Sequence, residues 1–226
     1  MNECCSQIIN DLYREAISND NLEAIKFLIK NGANARCNND YALVLASSIG
    51  NLEVIKYLIS QGVDIHSNDC YLLRRASLNG CLDVVKYIYS KKEIDKDKED
   101  LIEEAFQLAV ENNNFKIVKY LIEKGVKFNE NKDFAFRCAS EKGYLEIVKY
   151  LFERGVDIHA QNDYALRFAS NHGHLDVVKY LVEHGANIYA KNSETLRFAI
   201  QEGRNEVIKY LVEKGADFDN CYNALC

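Results

Sequence analysis

Five arginines fall at one place in a recurring phrase: Arg14, Arg74, Arg137, Arg167 and Arg197, with Val44 and Gln107 standing at that place in the remaining copies. A guanidinium offers five donors in a planar fork that grips a carboxylate two bonds at a time. Carried on packed helices, successive forks would stand about 10 Å apart, a spacing suited to an acidic peptide. Arg74, Arg137, Arg167 and Arg197 are therefore candidate partner-binding residues. Two structural readings of the same residues stay open. Each arginine pairs with the aspartate four residues earlier, as Asp133 with Arg137 and Asp163 with Arg167, or it donates a hydrogen bond from one repeat to the next.

Other reactive side chains group less well. The eight cysteines, at 4, 5, 37, 70, 81, 138, 221 and 226, form no C-x-x-C pair and no zinc-finger spacing. In an intracellular chain they read as small buried or surface thiols. Cys4-Cys5 has neither an adjacent basic cluster nor a glycine directly after the first methionine, the features that would support acylation. His172 and His174 flank Gly173, while His66 and His159 occupy matching loop positions. Without H-E-x-x-H or a third ligand, no metal site is expected. A P-loop, a dinucleotide fingerprint and a nucleophile with an evident base are all missing, so the expectation is no enzyme and no cofactor.

The segments that carry these residues repeat. NLEVIKYLISQG at 51 returns as YLEIVKYLFERG at 144 and HLDVVKYLVEHG at 174, and its lysine falls at 26, 56, 86, 119, 149, 179 and 209. The steps are 30, 30, 33, 30, 30 and 30 residues, so seven copies cover nearly the whole chain. Each copy holds two amphipathic patterns. In the sixth, 163–172 predicts a helix with a narrow face of Ala165, Leu166, Phe168 and Ala169, opened by Asp163 as N-cap and ended by Gly173. HLDVVKYLVEH predicts a second helix that stops at Gly185. Glycines at 32, 62, 125, 155, 185 and 215 repeat that stop. With no proline in 226 residues, Gly and Asx residues set the turns. A pair of short helices cannot bury both its faces alone, so the copies must stack.

Composition limits the function classes. With 48% hydrophobic residues the chain can offset its ordering entropy and is not disordered. No stretch reaches the roughly 18 apolar residues of a membrane span, and MNECCSQIIND lacks the pattern of a secretory signal. An intracellular, cytoplasmic location is expected. The lysine row invites a nucleic-acid reading, but Asp176, Lys179 and Glu183 share one stripe and the net charge is −6, which favours a salt-bridged, solvated face over phosphate binding. The tyrosines at 57, 87, 120, 150, 180 and 210, with Phe27 first, are expected to stack from repeat to repeat with their hydroxyls in water.

The phrase GHLDVVKYLVEHGANIYA at 173–190, echoed at 143–160 and 50–67, resembles the outer helix and following loop of the ankyrin repeat. The resemblance covers about 8–220. The chain departs from the T-P-L-H opening: Tyr41-Ala42-Leu43-Val44, Phe134-Ala135-Phe136-Arg137, Tyr164-Ala165-Leu166-Arg167 and Glu194-Thr195-Leu196-Arg197 lose the threonine, proline and histidine places and keep the leucine position alone, filled by phenylalanine at 136. Units of 30 rather than the usual 33 residues imply that the hairpin finger is shortened. A 30-residue unit of this kind looks like the ankyrin-repeat proteins that giant, mimivirus-like amoebal DNA viruses encode in multiple copies.

The resemblance implies an all-α solenoid of stacked helix-turn-helix units, a single domain over 1–220, with repeats at about 8–37, 38–67, 68–100, 101–130, 131–160, 161–190 and 191–220. Residues 221–226 are a tail or an incomplete eighth repeat. It also implies a non-catalytic protein-binding module whose first helices line the concave side, with a host protein as partner if the origin is viral. The alternatives are a structural, self-assembling component and a ubiquitin-ligase adaptor, although no F-box-like segment follows the repeats. Residues 90–104, densely charged and three residues longer than the matching loops, are expected to form a mobile loop or a hinge. At the other end Phe198, Ile208 and Leu211 are expected to face outward unless the tail folds over them, giving a C-terminal end that self-associates or binds a partner.

Overall fold

A computed structural model describes residues 3–64, 69–90, 99–125 and 128–217, with the side chains of 3–7, 37–40, 69–70, 99 and 128–131 left aside. The 90–104 segment therefore lies largely outside the described residues, and the 221–226 tail lies wholly outside them. Two compact units, Met1–Val126 and Lys127–Cys226, divide the chain. Among the described residues the regular elements of both are helices alone.

In the first unit α1 (Glu3–Ser18), α3 (Cys37–Ile49), α5 (Asp69–Leu78) and α7 (Glu99–Glu111) are the first helices of successive repeats. Each is followed by a nine-residue second helix: α2 (Leu22–Lys30), α4 (Leu52–Ser60), α6 (Leu82–Ser90) and α8 (Phe115–Glu123). First helices pack on first helices, and α4, α6 and α8 pack in sequence beside them. The second unit repeats the plan with α9 (Phe128–Glu141), α11 (Ala160–His172) and α13 (Ala190–Gln201) paired with α10 (Leu145–Glu153), α12 (Leu175–Glu183) and α14 (Asn205–Glu213).

Small residues set the approach of the first helices. Ala42, Ala46, Ala76, Ala105 and Ala109 in the first unit, and Ala135, Ala139, Ala165 and Ala169 in the second, are fully or almost fully buried, and helix separation shrinks with side-chain size. The second helices supply the branched bulk, such as Val54 with Ile55 and Val177 with Val178.

The glycine stops are in place and can be read bond by bond. At the end of α12 the Gly185 N–H donates to Val182 O at 3.1 Å and the Ala186 N–H to Leu181 O at 3.0 Å, the paired bonds of a Schellman close. Gly185 sits at φ 99°, where a Cβ would be strained. Where a hairpin finger would stand, an Asx turn closes the link instead. The Asp157 carboxylate accepts the His159 N–H and the Asn187 side chain accepts the Tyr189 N–H, each at 2.9 Å, as the side chains of these residue types commonly do.

Candidate functional site

The arginine row lies on the first helices, and three of its members reach the first residue of the opening tetrapeptide of the next repeat. Arg74 Nε is 3.2 Å from Glu104 Oε2, both side chains about half exposed. Arg137 lies over the Tyr164 ring, 5.1 Å from its centroid. Arg167 donates through Nη1 to Glu194, with Arg167 4% and Glu194 8% exposed. The opening position thus receives the guanidinium as a carboxylate at 104 and 194 and as a π face at 164. Glu194 also accepts Arg197 Nη2 at 3.0 Å and lies 3.6 Å from Lys191 Nζ, so three cations surround one carboxylate. Arg14 stays within its own helix, 3.2 Å from Asp11.

The pairing with an aspartate four residues earlier does not form at Arg167. Gln161, Asn162 and Asp163 all have positive φ, between 53° and 57°. They make one left-handed turn ahead of the right-handed helix, and i,i+4 neighbours exist only where one right-handed helix runs through both residues. Such a turn costs roughly 1–2 kcal/mol per residue for L side chains. Arg167 holds it: Nε donates to Asn162 O at 2.9 Å and Nη2 to Gln161 O at 3.0 Å. Arg137 likewise bonds the carbonyl, and not the carboxylate, of Asp133, at 3.2 Å, and its Nη1 donates to Gln161 Oε1 at 2.8 Å. Lys191, Asn192 and Ser193 form a second left-handed turn, at φ 50–59°.

Asp163 opens its helix as expected but does not cap it. Its carboxylate is buried, lies 3.0 Å from His159 Nδ1, and accepts the backbone N–H of Asn187, 24 residues on, at 2.9 Å. Asn10, at the same register in the first repeat, accepts the Asn34 N–H at 3.2 Å. The side chain at this register of the first helix therefore ties down the loop after the second helix.

A second row crosses between repeats and was not foreseen as one. In four repeats the residue that precedes the second helix turns its side chain back to the end of the first helix of the repeat before. Cys81 Sγ reaches Ser48 O at 3.7 Å, Asn114 Nδ2 reaches Ser77 O at 2.6 Å, His174 Nε2 reaches Glu141 O at 2.9 Å and Arg204 Nε reaches Asn171 O at 2.9 Å. These carbonyls are among the orphan acceptors of a helix C-terminus. Each side chain rests over a glycine: a Cβ on Gly143 would lie 2.5 Å from His174 Nδ1, and one on Gly80 would lie 2.7 Å from Asn114 Oδ1. Burial holds the His174 imidazole below its ordinary pKa, helped by His172 and Arg204 and opposed by the Glu141 carbonyl. The common offset from the glycine, one residue past the helix end plus one repeat, was the available signal.

Aromatic and basic side chains interleave on the first helices of the second unit. Tyr164 stacks on Phe168 with centroids 3.9 Å apart and planes 13° from parallel, and Phe168 meets Phe198 edge-on at 5.8 Å. On the second helices the tyrosines meet the preceding repeat through other residues. Tyr180 packs edge-on against Phe152 and Tyr120 against Tyr89, while Lys149 and Lys179 lie over the Tyr180 and Tyr210 rings. Tyr210 is buried, which corrects the expectation of a hydroxyl in water there. Lys26 and Lys56 pair with Glu23 and Glu53 at 2.7 and 2.9 Å. Among the described residues no group of three His, Cys, Asp or Glu side chains could hold a metal ion, and no helix is long and apolar enough to cross a membrane.

Stacked pairs of antiparallel helices, tied by one side chain per register, define a helical-repeat protein. The family model for ankyrin repeats in three copies matches residues 13–100, 73–162 and 157–220, and the chain belongs to the ankyrin-repeat family. Among solved structures it is similar to the human ASB11 ankyrin repeat domain, with TM-score 0.61 and 22% identity over 77% of this chain and 84% of that one, a likeness of fold. A search of curated proteins finds no match. Ankyrin repeats are generally protein–protein interaction modules, a typical non-catalytic scaffold, and no enzymatic family is indicated.

Proposed function

We propose that the chain is a protein-binding module that takes an acidic segment of its partner along the first-helix row, residues 1–220 working as one repeat domain inside the cell. The observation that carries this reading is the interleaving of arginines with aromatic faces on the first helices of the second unit, Arg137 over the Tyr164 ring and Arg197 over the Phe198 ring. Arg74, Arg137 and Arg197 are at least partly exposed and hold donor hydrogens beyond the bonds they make. Arg167 uses each of its three nitrogens internally and serves the row by fixing the turn beneath it. If the chain is of viral origin, like the giant-virus proteins its 30-residue unit resembles, the partner would be a host protein. A self-assembling role is the second reading, favoured by apolar residues exposed at the ends of the array.

The test is parallel affinity capture with the natural chain and an Arg74→Gln, Arg137→Gln, Arg197→Gln variant that retains Arg167. A protein held by the natural chain and lost with the variant supports the row. Equal retention removes the row from the binding site, and no retention above a control removes the binding reading.

A further inference from the structure

The first and last repeats expose opposite halves of one interface. In the first repeat Leu12 is 48% and Phe27 66% exposed, and with Ala16, Asn21, Ala24 and Leu28 they line an open groove of about 360 Å³. At the register of Leu12, later repeats of the same unit place Ala42, Leu72 and Ala105, all buried; at that of Ala24 they place Val54, Val84 and Ile117, all buried. The leading face is thus the one that each later repeat covers with its predecessor. Ile17 and Ile25, which face the second repeat, are 2% and 0% exposed.

The seventh repeat shows the reverse. Thr195 and Val207, at the registers of Leu12 and Ala24, are 0% and 1% exposed. Ile200, at the register of Ile17, is 40% exposed, although Ser47, Ser77, Ser140 and Ser170 at the same place are fully buried. Ile208 is half-buried where Ile55, Val85, Val148 and Val178 are fully buried. Leu211 does not face outward: it lies on the leading side, like Leu181, and is fully buried.

A polar group completes the match. Asn51 caps its own helix through Oδ1 and donates Nδ2 to Asp20 of the preceding repeat. Asn21, at the same register, caps Ala24 at 3.0 Å, while among the described residues its amide nitrogen has no acceptor. Such a donor is matched by the carbonyls at the end of another repeat's first helix.

We propose that a second copy of the chain supplies the missing half: the trailing face of the seventh repeat, with Ile200 and Ile208, docks head to tail on the leading face of the first, with Leu12, Phe27 and Asn21. The contact continues the interface already present between repeats, and it stands independently of the arginine-row reading. Because it is heterologous, each added copy leaves a fresh leading or trailing face.

The test is sedimentation velocity over roughly 1–200 µM, the range for a weak interface, on the natural chain, Leu12→Arg and Ile200→Arg. Both sites are exposed, and hydrogen exchange of the interior helices verifies that each variant is folded. The natural chain is expected to sediment faster as concentration rises, each variant alone to stay monomeric, and their equimolar mixture to stop at the dimer. A natural chain that stays monomeric, a Leu12→Arg or Ile200→Arg protein that assembles normally, or a mixture that stays monomeric would each overturn the proposal. Affinity capture with the triple arginine variant reads the other surface, so failure of one reading leaves the other intact.

Discussion

Removing the Glu194 carboxylate tests the cluster at the junction of the sixth and seventh repeats. Arg167 and Glu194 are 5% and 11% exposed as side chains, so the pair is shielded from solvent screening, and truncating one member of a buried pair typically costs about 3–5 kcal/mol. Two features lower that figure here. Arg167 keeps its bonds to the Gln161 and Asn162 carbonyls, and Arg197, at 21% exposure, turns partly to water. Glu194→Ala is therefore expected to cost about 3 kcal/mol. Glu194→Gln, which keeps an acceptor but no charge, should cost about 1–2 kcal/mol. In Arg167→Met/Glu194→Met the buried charge is gone, but the two carbonyls lose their donor. The double variant should then lie about 2 kcal/mol short of the sum of the single ones, within the range measured for contacting residues. Repeat arrays need not unfold in one step, so the readout is hydrogen exchange at α11 and α13 under native conditions, supported by urea melts. A Glu194→Ala loss below about 1 kcal/mol, or single and double effects that simply add, would refute the coupling.

Two further outcomes follow from the junctions. Gly143→Ala must both adopt φ 78° and displace His174, whereas Gly155→Ala at φ 82° meets nothing within 4 Å. Thermal melts should show a cost near 1 kcal/mol for Gly155→Ala and about 1 kcal/mol more for Gly143→Ala, the worth of the lost hydrogen bond; equal costs would mean the socket is not shape-sensitive. His174 has a folded pKa below the unfolded value near 6.5, so the unfolded chain binds more protons between the two. Its contribution is complete above about pH 6.5 and is lost as pH falls from there toward the folded pKa. His174→Asn, which copies Asn114, should flatten that part of the stability–pH curve, and an unchanged slope would rule His174 out as its source.

The helices were legible because each carries its period within ten residues: Val177, Val178, Leu181 and Val182 mark a face without reference to any partner. The glycine stops were legible for the same local reason. What lay outside such a reading is whatever crosses 24 to 37 residues. Arg167 and Glu194 are 27 apart, Asp163 and the Asn187 N–H are 24 apart, and Asn114 and Ser77 O are 37 apart. Their meeting depends on how one repeat settles on the next, and the period alone leaves that register unset. The sequence did hold one clue, an acidic residue at the opening positions 104 and 194, each in the repeat that follows one with an arginine in the row. The left-handed turns were hidden for a different reason. Gln161 and Lys191 do not announce positive φ as glycine does, and the turn persists there because surrounding bonds hold it.

The glycine sockets bear on how such an array can change over time. A socket made by the absence of a side chain specifies almost nothing about what enters it, and at one register this chain seats a thiol, an amide, an imidazole and a guanidinium on equivalent backbone carbonyls, those of Ser48, Leu78, Glu141 and Asn171. A duplicated or deleted repeat would therefore meet a compatible neighbour at once, its junction residue free to drift while the glycine is held. The arginine clamps behave oppositely, since Arg167 requires an acid at 194, and a shuffled repeat would strand a buried charge. Copies that carry the clamp are bound to their neighbours, and those without it are free to move.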